Sequence, residues 1–271
     1  MMFYEKLHES SLKRTSLLCV GLDSDFEKLP TSIRKEKLPQ YSFNKEIVDA
    51  TYDLVNSFKI NTAFYEARGE EGIRELKMTC DYIREKHPDS VLIIDAKRAD
   101  IGNTNKGYVS FIFEYLGADA VTLHPYLGYE ALETFLNYPD KGCIILCRTS
   151  NAGAHEFQDL SISGKPLYQI VAENVVQKWN KNKNCALVVG ATYPEDIIKV
   201  RKIAADLPLL IPGIGSQGGN LEKTVKASVD KEGFGAIIHC ARSIIFTENP
   251  RKEARKMRDE INSFRPKKSY G

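Results

Sequence analysis

Eight short apolar runs recur along the chain: Ser16–Leu22, Ser57–Ile60, Val91–Ile94, Ala120–Leu123, Cys143–Leu146, Ala186–Val189, Leu209–Ile211 and Ala236–Ile238. Each is too short for a helix and apolar on both faces, the pattern of a strand buried inside a parallel sheet. Between them lie stretches with apolar residues at three- and four-residue spacing: Glu46–Val55, Gly72–Arg84, Gly107–Leu116, Leu167–Trp179 and Glu195–Ile203. This alternation predicts an α/β fold with parallel strands and right-handed crossovers. Eight such units in 271 residues fit a (β/α)8 barrel spanning 1–271 as one domain better than two doubly wound domains. Phe3–Ser10 predicts an extra N-terminal helix, and the basic, Pro-broken tail 265–271 is expected to fray.

Composition removes several function classes. Lys plus Arg is 38 and Asp plus Glu is 36, a net charge of +2, which argues against a dedicated nucleic-acid binder. No apolar run approaches the ~18 residues of a membrane span, and the N-terminus lacks the apolar core of a signal peptide. The six cysteines form no C-x-x-C pair and sit mostly in apolar segments, as reduced core residues of a cytoplasmic protein would. The five histidines show no H-x-x-x-H or H-E-x-x-H spacing, so no metal site is expected. His124 and His239 each follow an apolar run; either lines a cleft or is simply a satisfied buried or rim histidine.

In a barrel the reactive residues lie at the C-terminal ends of the strands. The third run ends in Asp95-Ala-Lys97-Arg-Ala-Asp100. Asp95 and Lys97 are two apart, on one face of an extended strand. Charge beside a buried apolar run is tolerable when opposite signs alternate. A lysine between carboxylates stays protonated and can act as a general acid toward a carbon bearing negative charge. The alternative is an inert Asp95–Lys97 pair, with Asp100 capping the next helix.

The seventh run ends in Pro212-Gly-Ile-Gly-Ser-Gln-Gly-Gly219, followed by a predicted helix at Leu221–Ala227. Glycines let backbone N–H groups face an anion, and a helix N-terminus adds positive dipole. Residues 213–218 match G-x-G-x-x-G, but only 58 residues follow Gly213, too few for a dinucleotide domain. A phosphate cup after the seventh strand, with Arg242 past the eighth as a bidentate partner, fits the barrel better. A plain tight turn and a surface arginine are the alternative.

These motifs resemble the orotidine 5′-phosphate decarboxylase family. Asp95-Ala-Lys97-Arg-Ala-Asp100 matches its D-x-K-x-x-D motif, and the extension through Ile101-Gly-Asn-Thr104, with the P-G-x-G-x-Q-G-G turn, resembles one subgroup. The D-x-K-x-x-D element alone also occurs in related barrel lyases; the combination with Lys59, Gln217 and Arg242 is more specific. The resemblance runs from Gly21-Leu22-Asp23 to Ala241-Arg242. It implies conversion of orotidine 5′-monophosphate to uridine 5′-monophosphate and CO2, the last step of pyrimidine nucleotide synthesis, without cofactor or metal. It implies a charged array of Lys59, Asp95, Lys97 and Asp100, with Lys97 protonating the ring carbanion. It implies a homodimer, with Asp100 and Thr104 entering the neighbouring site. Asp23 and Lys59 would bind ribose hydroxyls, Thr149 or Ser150 the pyrimidine, and Asn61 would support the array. Gln217, Arg242 and backbone of the 212–215 and 241 segments, including Pro212, Gly213, Gly215 and Ala241, would hold the phosphate.

Two other functions compete. One is a metal-dependent sugar-phosphate lyase of the same superfamily, which a chelator would inhibit. The other is a non-catalytic nucleotide-binding barrel, for which a lysine between aspartates has no use.

Overall fold

Aliphatic side chains on both faces of a strand are satisfied only between two apolar layers, which a barrel wrapped in helices supplies. The computed structural model describes residues 1–214 and 220–266. Its barrel strands are β1 (Leu18–Gly21), β2 (Ser57–Asn61), β3 (Val91–Arg98), β4 (Ala120–Leu123), β5 (Gly142–Arg148), β6 (Cys185–Val189), β7 (Leu209–Ile211) and β8 (Ala236–Cys240). They close in the order β1-β8-β7-β6-β5-β4-β3-β2, every neighbouring pair parallel. The expected (β/α)8 barrel is the observed fold.

The anticipated helices are present with shifted or wider bounds: Pro39–Thr51, Gly69–Lys86, Gly102–Val109 running into a π-helical Ser110–Tyr115, Leu167–Asn174 running into a π-helical Val175–Trp179, and Pro194–Ala204. Tyr129–Leu136 and Pro250–Phe264 were not anticipated. The second buries only Ala254 and Ile261 completely, so its apolar stripe is too thin to read from spacing.

Strand alternation sorts the side chains into layers. Outward-facing Leu18, Val20, Leu92, Ile94, Val121, Ile145, Leu187 and Ile238 pack beneath the helices. Inward-facing Cys19, Val91, Ile93, Ala120, Ile144, Ala186, Val188, Leu210 and Ile237 fill the barrel. The N-terminal helix, Phe3–Arg14, closes its floor by adding Phe3 and Leu7 to that inner cluster. Gly142 at the start of β5 makes room for this plug: a Cβ there would lie 2.7 Å from the Phe3 ring. Polar contacts fix the helix, including Ser10 Oγ donating to Asn56 O at 2.7 Å and a Lys6–Asp119 ion pair at 2.7 Å.

All six cysteines are buried and free. Burial pushes the Cys19, Cys147, Cys185 and Cys240 thiols up to about 12, which keeps them protonated. Among the described residues no helix is long and apolar enough to cross a membrane. At the C-terminal end, Arg265 Nε donates to Gly233 O at 2.8 Å; residues 267–271, and the fraying expected of them, lie outside the described residues.

Candidate active site

The alternation that lines the barrel with Cys19, Ile93, Ala120 and Ile237 continues upward to different chemistry. One inward step further along the strands stand Gly21, Asp95, Thr122 and His239, with Lys59 on β2 at the same level. β3 carries the central part. It runs on past Ile94 to Arg98, with a register shift against β4 between those two residues. Asp95 still pairs with Asn61 of β2, so it is held as a strand residue. Lys97 has φ 48° and Ala99 φ 136°, both in the region that favours glycine. Such residues cost about 1–3 kcal/mol each and persist where the surroundings over-determine them. Here the Lys97 backbone N–H donates to Thr122 Oγ1 at 3.0 Å.

Asp95 is the hub. Its Oδ2 accepts from Lys59 Nζ at 2.9 Å, and its Oδ1 accepts from Lys97 Nζ at 2.7 Å and Thr122 Oγ1 at 2.8 Å. Lys59 is 3% exposed and also lies 3.8 Å from Asp23 Oδ1. Burial alone would depress the Lys59 ammonium; Asp23 and Asp95 outweigh it and hold its pKa above the usual lysine value. Burial alone would likewise raise Asp95; Lys59 and Lys97 outweigh it and hold the carboxyl well below its usual range. Lys97 differs in being half exposed, its ammonium at the open mouth.

The geometry redistributes the sequence expectations. The lysine lying between two carboxylates of one chain is Lys59, between Asp23 and Asp95, not Lys97 between Asp95 and Asp100. Asp100 forms no ion pair with Lys97 or Lys59 among the described residues. Its Oδ1 accepts from Ile101 N at 2.7 Å, and its own N–H donates to Asn105 Oδ1 at 2.8 Å. It therefore shapes the β3 loop rather than capping the Gly102–Val109 helix, whose N-cap is Ile101. Thr104, in the first turn of that helix, is exposed. Asn61 Oδ1 accepts from Ala63 N at 3.1 Å, starting the short helix after β2, and makes no hydrogen bond to the array.

Beyond Asp23 a cleft of about 120 Å³ is lined by Pro212, Gly213, His239, Ala241 and Arg242. Gly213 has φ 100°, a turn conformation that a side chain would strain. Arg242 is exposed and forms no ion pair among the described residues, leaving its guanidinium available. After the turn, Asn220 Oδ1 accepts from Lys223 N at 2.9 Å and caps the Leu221–Ser228 helix. Gly215 and Gln217 lie outside the described residues.

On the β5 side, Arg148 is buried against Asp196 (Nε–Oδ2 3.0 Å) and Asp159 (Nη1–Oδ1 2.9 Å). The loop it anchors distinguishes the two candidate hydroxyls. Thr149 Oγ1 donates to Asn151 Oδ1 at 2.7 Å and accepts from Gln158 Nε2 at 2.8 Å. Ser150 makes no such side-chain hydrogen bond and packs against Gly190, where a Cβ would meet Ser150 Cβ at 2.8 Å.

Two residues of the upper layer were not assigned to the site by sequence reasoning. Thr122 carried no signal except its inward parity with Ala120. His239 was an open choice between cleft and core; it is buried, inward-facing, and its Nε2 has no hydrogen-bond partner. Among the described residues, no group of three or more His, Cys, Asp or Glu is placed to hold a metal ion.

Comparison with known proteins places this arrangement. The model of the family described as "Orotidine 5'-phosphate decarboxylase / HUMPS family" matches residues 16–257. An orotidine 5′-phosphate decarboxylase of Cupriavidus metallidurans is 46% identical, covering 98% of this chain and 99% of its own. One from a Janthinobacterium species is 44% identical over 97% of this chain and 99% of its own. Among solved structures, Leishmania donovani OMP decarboxylase superposes with a TM-score of 0.88 at 34% identity, covering 97% of this chain and 98% of that one.

Proposed function

The chain belongs to the orotidine 5′-phosphate decarboxylase / HUMPS family, and from this we propose that it converts orotidine 5′-monophosphate to uridine 5′-monophosphate and CO2, the last step of pyrimidine nucleotide synthesis. One observation carries the reading: the Lys59–Asp95–Lys97 chain of ion pairs at the barrel mouth, buried at one end and open at the other. An anion-binding barrel has no need of a carboxylate there. A decarboxylase does.

In the reaction the bond from ring C6 to the carboxyl carbon breaks, and its electron pair stays on C6. No conjugated acceptor receives it, so the site must stabilise a charge that exists only in the transition state. Lys97, at the open end, faces that charge and then delivers a proton to C6, regaining one from solvent. Asp95 holds the Lys97 ammonium in place and repels the substrate carboxylate until it leaves as neutral CO2. Lys59 keeps Asp95 ionised and, with Asp23, meets the ribose hydroxyls. Thr122 fixes Asp95 and the strained Lys97 backbone together, so the array needs little reorganisation.

Ser150, whose hydroxyl is uncommitted, reads the pyrimidine; Thr149 is spent on its own loop. Arg242, Gly213 and the following turn, with Gln217, take the phosphate, aided by backbone of Pro212, Gly215 and Ala241. Asp100 lies outside its own chain's array at the base of an exposed segment, which supports a homodimer completed by Asp100 and Thr104 of the partner subunit. The six buried, free thiols support a reducing, cytoplasmic setting.

The test follows the absorbance of orotidine 5′-monophosphate mixed with the purified chain, with and without chelator. Conversion in both is expected. Constant absorbance at high enzyme concentration would sink the reading, and conversion abolished by chelator would favour a metal-dependent lyase instead.

A further inference from the structure

His239 occupies an unusual position for an imidazole. It is 8% exposed and stands on β8 directly above Ile237, in the layer that holds Asp95 and Thr122. Its ring lies across Gly21 of β1: a Cβ at Gly21 would come within 2.4 Å of His239 Nε2 and 2.7 Å of Ala241 Cβ. The absence of a side chain at Gly21 is what lets the ring lie there. That Nε2 is buried without a hydrogen bond, and Asp23 Oδ1 likewise accepts none, its one charged neighbour among the described residues being Lys59 Nζ at 3.8 Å. Both residues line the same cleft, which ends at Arg242 and Gly213.

An imidazole nitrogen buried without a hydrogen bond is uncommon and needs an explanation, and His239 is one of the residues that line this cleft. The cleft exceeds by several-fold the ~10–15 Å³ that one water needs. It also bridges the carboxylate assigned to ribose hydroxyls and the arginine assigned to phosphate. The imidazole is uncharged, because burial, reinforced by the nearby Lys59 ammonium, lowers it to about 3. A neutral ring can hydrogen-bond a sugar oxygen without adding charge beside Lys59.

We propose that His239 is a substrate-binding residue, its Nε2 hydrogen-bonding an oxygen of the ribose between Asp23 and the phosphate site. The inference rests on the nucleotide reading above and adds to it a contact that none of the charged motifs announces. The hydroxyl-rich sugar, not the anionic phosphate, is the ligand portion that His239 selects.

Binding of uridine 5′-monophosphate and of inorganic phosphate is measured on the wild-type chain, His239→Ala and His239→Gln. The amide of glutamine reaches the position of Nε2, so it serves as the conservative rescue. Nucleotide affinity should fall about 5- to 150-fold in His239→Ala, the range for one lost hydrogen bond that strands its partner. It should be largely restored in His239→Gln, with phosphate affinity unchanged in both. Unaltered nucleotide affinity in His239→Ala overturns the proposal. Equal weakening of nucleotide and phosphate overturns it too, because the ring would then only shape the cleft. A wild-type chain that binds phosphate but not the nucleotide overturns the nucleotide reading itself, and this contact with it. If His239→Ala does not fold, His239→Leu, similar in volume, replaces it in the same comparison.

Discussion

The floor and the mouth of this barrel are built by the same rule and end in opposite chemistry. At both, alternate residues of each strand point inward. At the floor those residues are Val91, Ile93, Ala120, Ile144 and Ile237, sealed by Phe3 and Leu7 from the N-terminal helix. One step up the same strands they are Asp95, Thr122 and His239, joined by Lys59. The floor is nearly all apolar, its buried Ser57 hydroxyl satisfied by Asn56 Oδ1 at 2.8 Å, and gains stability by excluding water. The mouth holds a buried ion pair, a strained Lys97 backbone and a buried imidazole nitrogen without a hydrogen bond. Stability built at one end lets the other keep groups that cost folding free energy and wait for a ligand.

Four changes test whether floor and mouth are separable. Phe3→Ala opens a cavity in the floor and should cost about 3–5 kcal/mol of unfolding free energy. Turnover per folded molecule, measured well below melting, should stay near wild type; a selective loss of turnover would mean the two ends are not separable. Lys59→Ala strikes the mouth instead. It leaves Asp23 without its cation and Asp95 with Lys97 alone, so chemical denaturation should show a loss of about 3–5 kcal/mol as well, together with collapse of activity. A stable Lys59→Ala chain would show that the array does not depend on its buried cation.

The third change is pH. The native His239 imidazole, lowered to about 3 from its ordinary 6.5, refuses a proton that the unfolded chain accepts. Its contribution to stability is therefore complete above the unfolded pKa and declines as pH falls through the window between the two values. His87, also lowered by burial, adds in the same direction. Asp95, held low, weighs in only once the pH falls into the ordinary carboxylate range. Denaturation midpoints from about pH 7 to about pH 4.5 should drop less steeply in His239→Gln than in wild type. Identical slopes would remove His239 from the account. The fourth and smallest effect separates neighbours: Ser150→Ala should raise KM about 3- to 10-fold through one lost hydrogen bond, whereas Thr149→Val should chiefly loosen its loop. The reverse ranking would assign the ring contact to Thr149.

The same contrast explains what could be read before the structure. The eight strands stood out because a residue buried on both faces has no polar alternation to hide it. Lys59, Asp95 and Lys97 stood out because charge directly abuts apolar runs. Thr122 did not, since threonine is ordinary in strands and only its parity with Ala120 aims it at Asp95. His239 stayed ambiguous because its meaning depends on Gly21, far away in the chain. Asp100 belongs to the motif by spacing, yet its carboxylate turns into its own loop, which spacing along a strand does not reveal. The Pro250–Phe264 helix was missed for a different reason: its charged faces far outnumber its buried positions.

Lys97, the half-exposed end of the array, is proposed to carry the chemistry while Lys59 and Asp95 hold it there. Lys97→Ala tests it most directly, with turnover of orotidine 5′-monophosphate, affinity for uridine 5′-monophosphate and melting midpoint measured on one preparation. Turnover should fall at least about 10²- to 10⁴-fold, the range for removing a general acid. Nucleotide affinity and melting midpoint should stay close to wild type, because the lost ammonium is half in solvent. A variant that binds, melts and turns over like wild type would contradict the account.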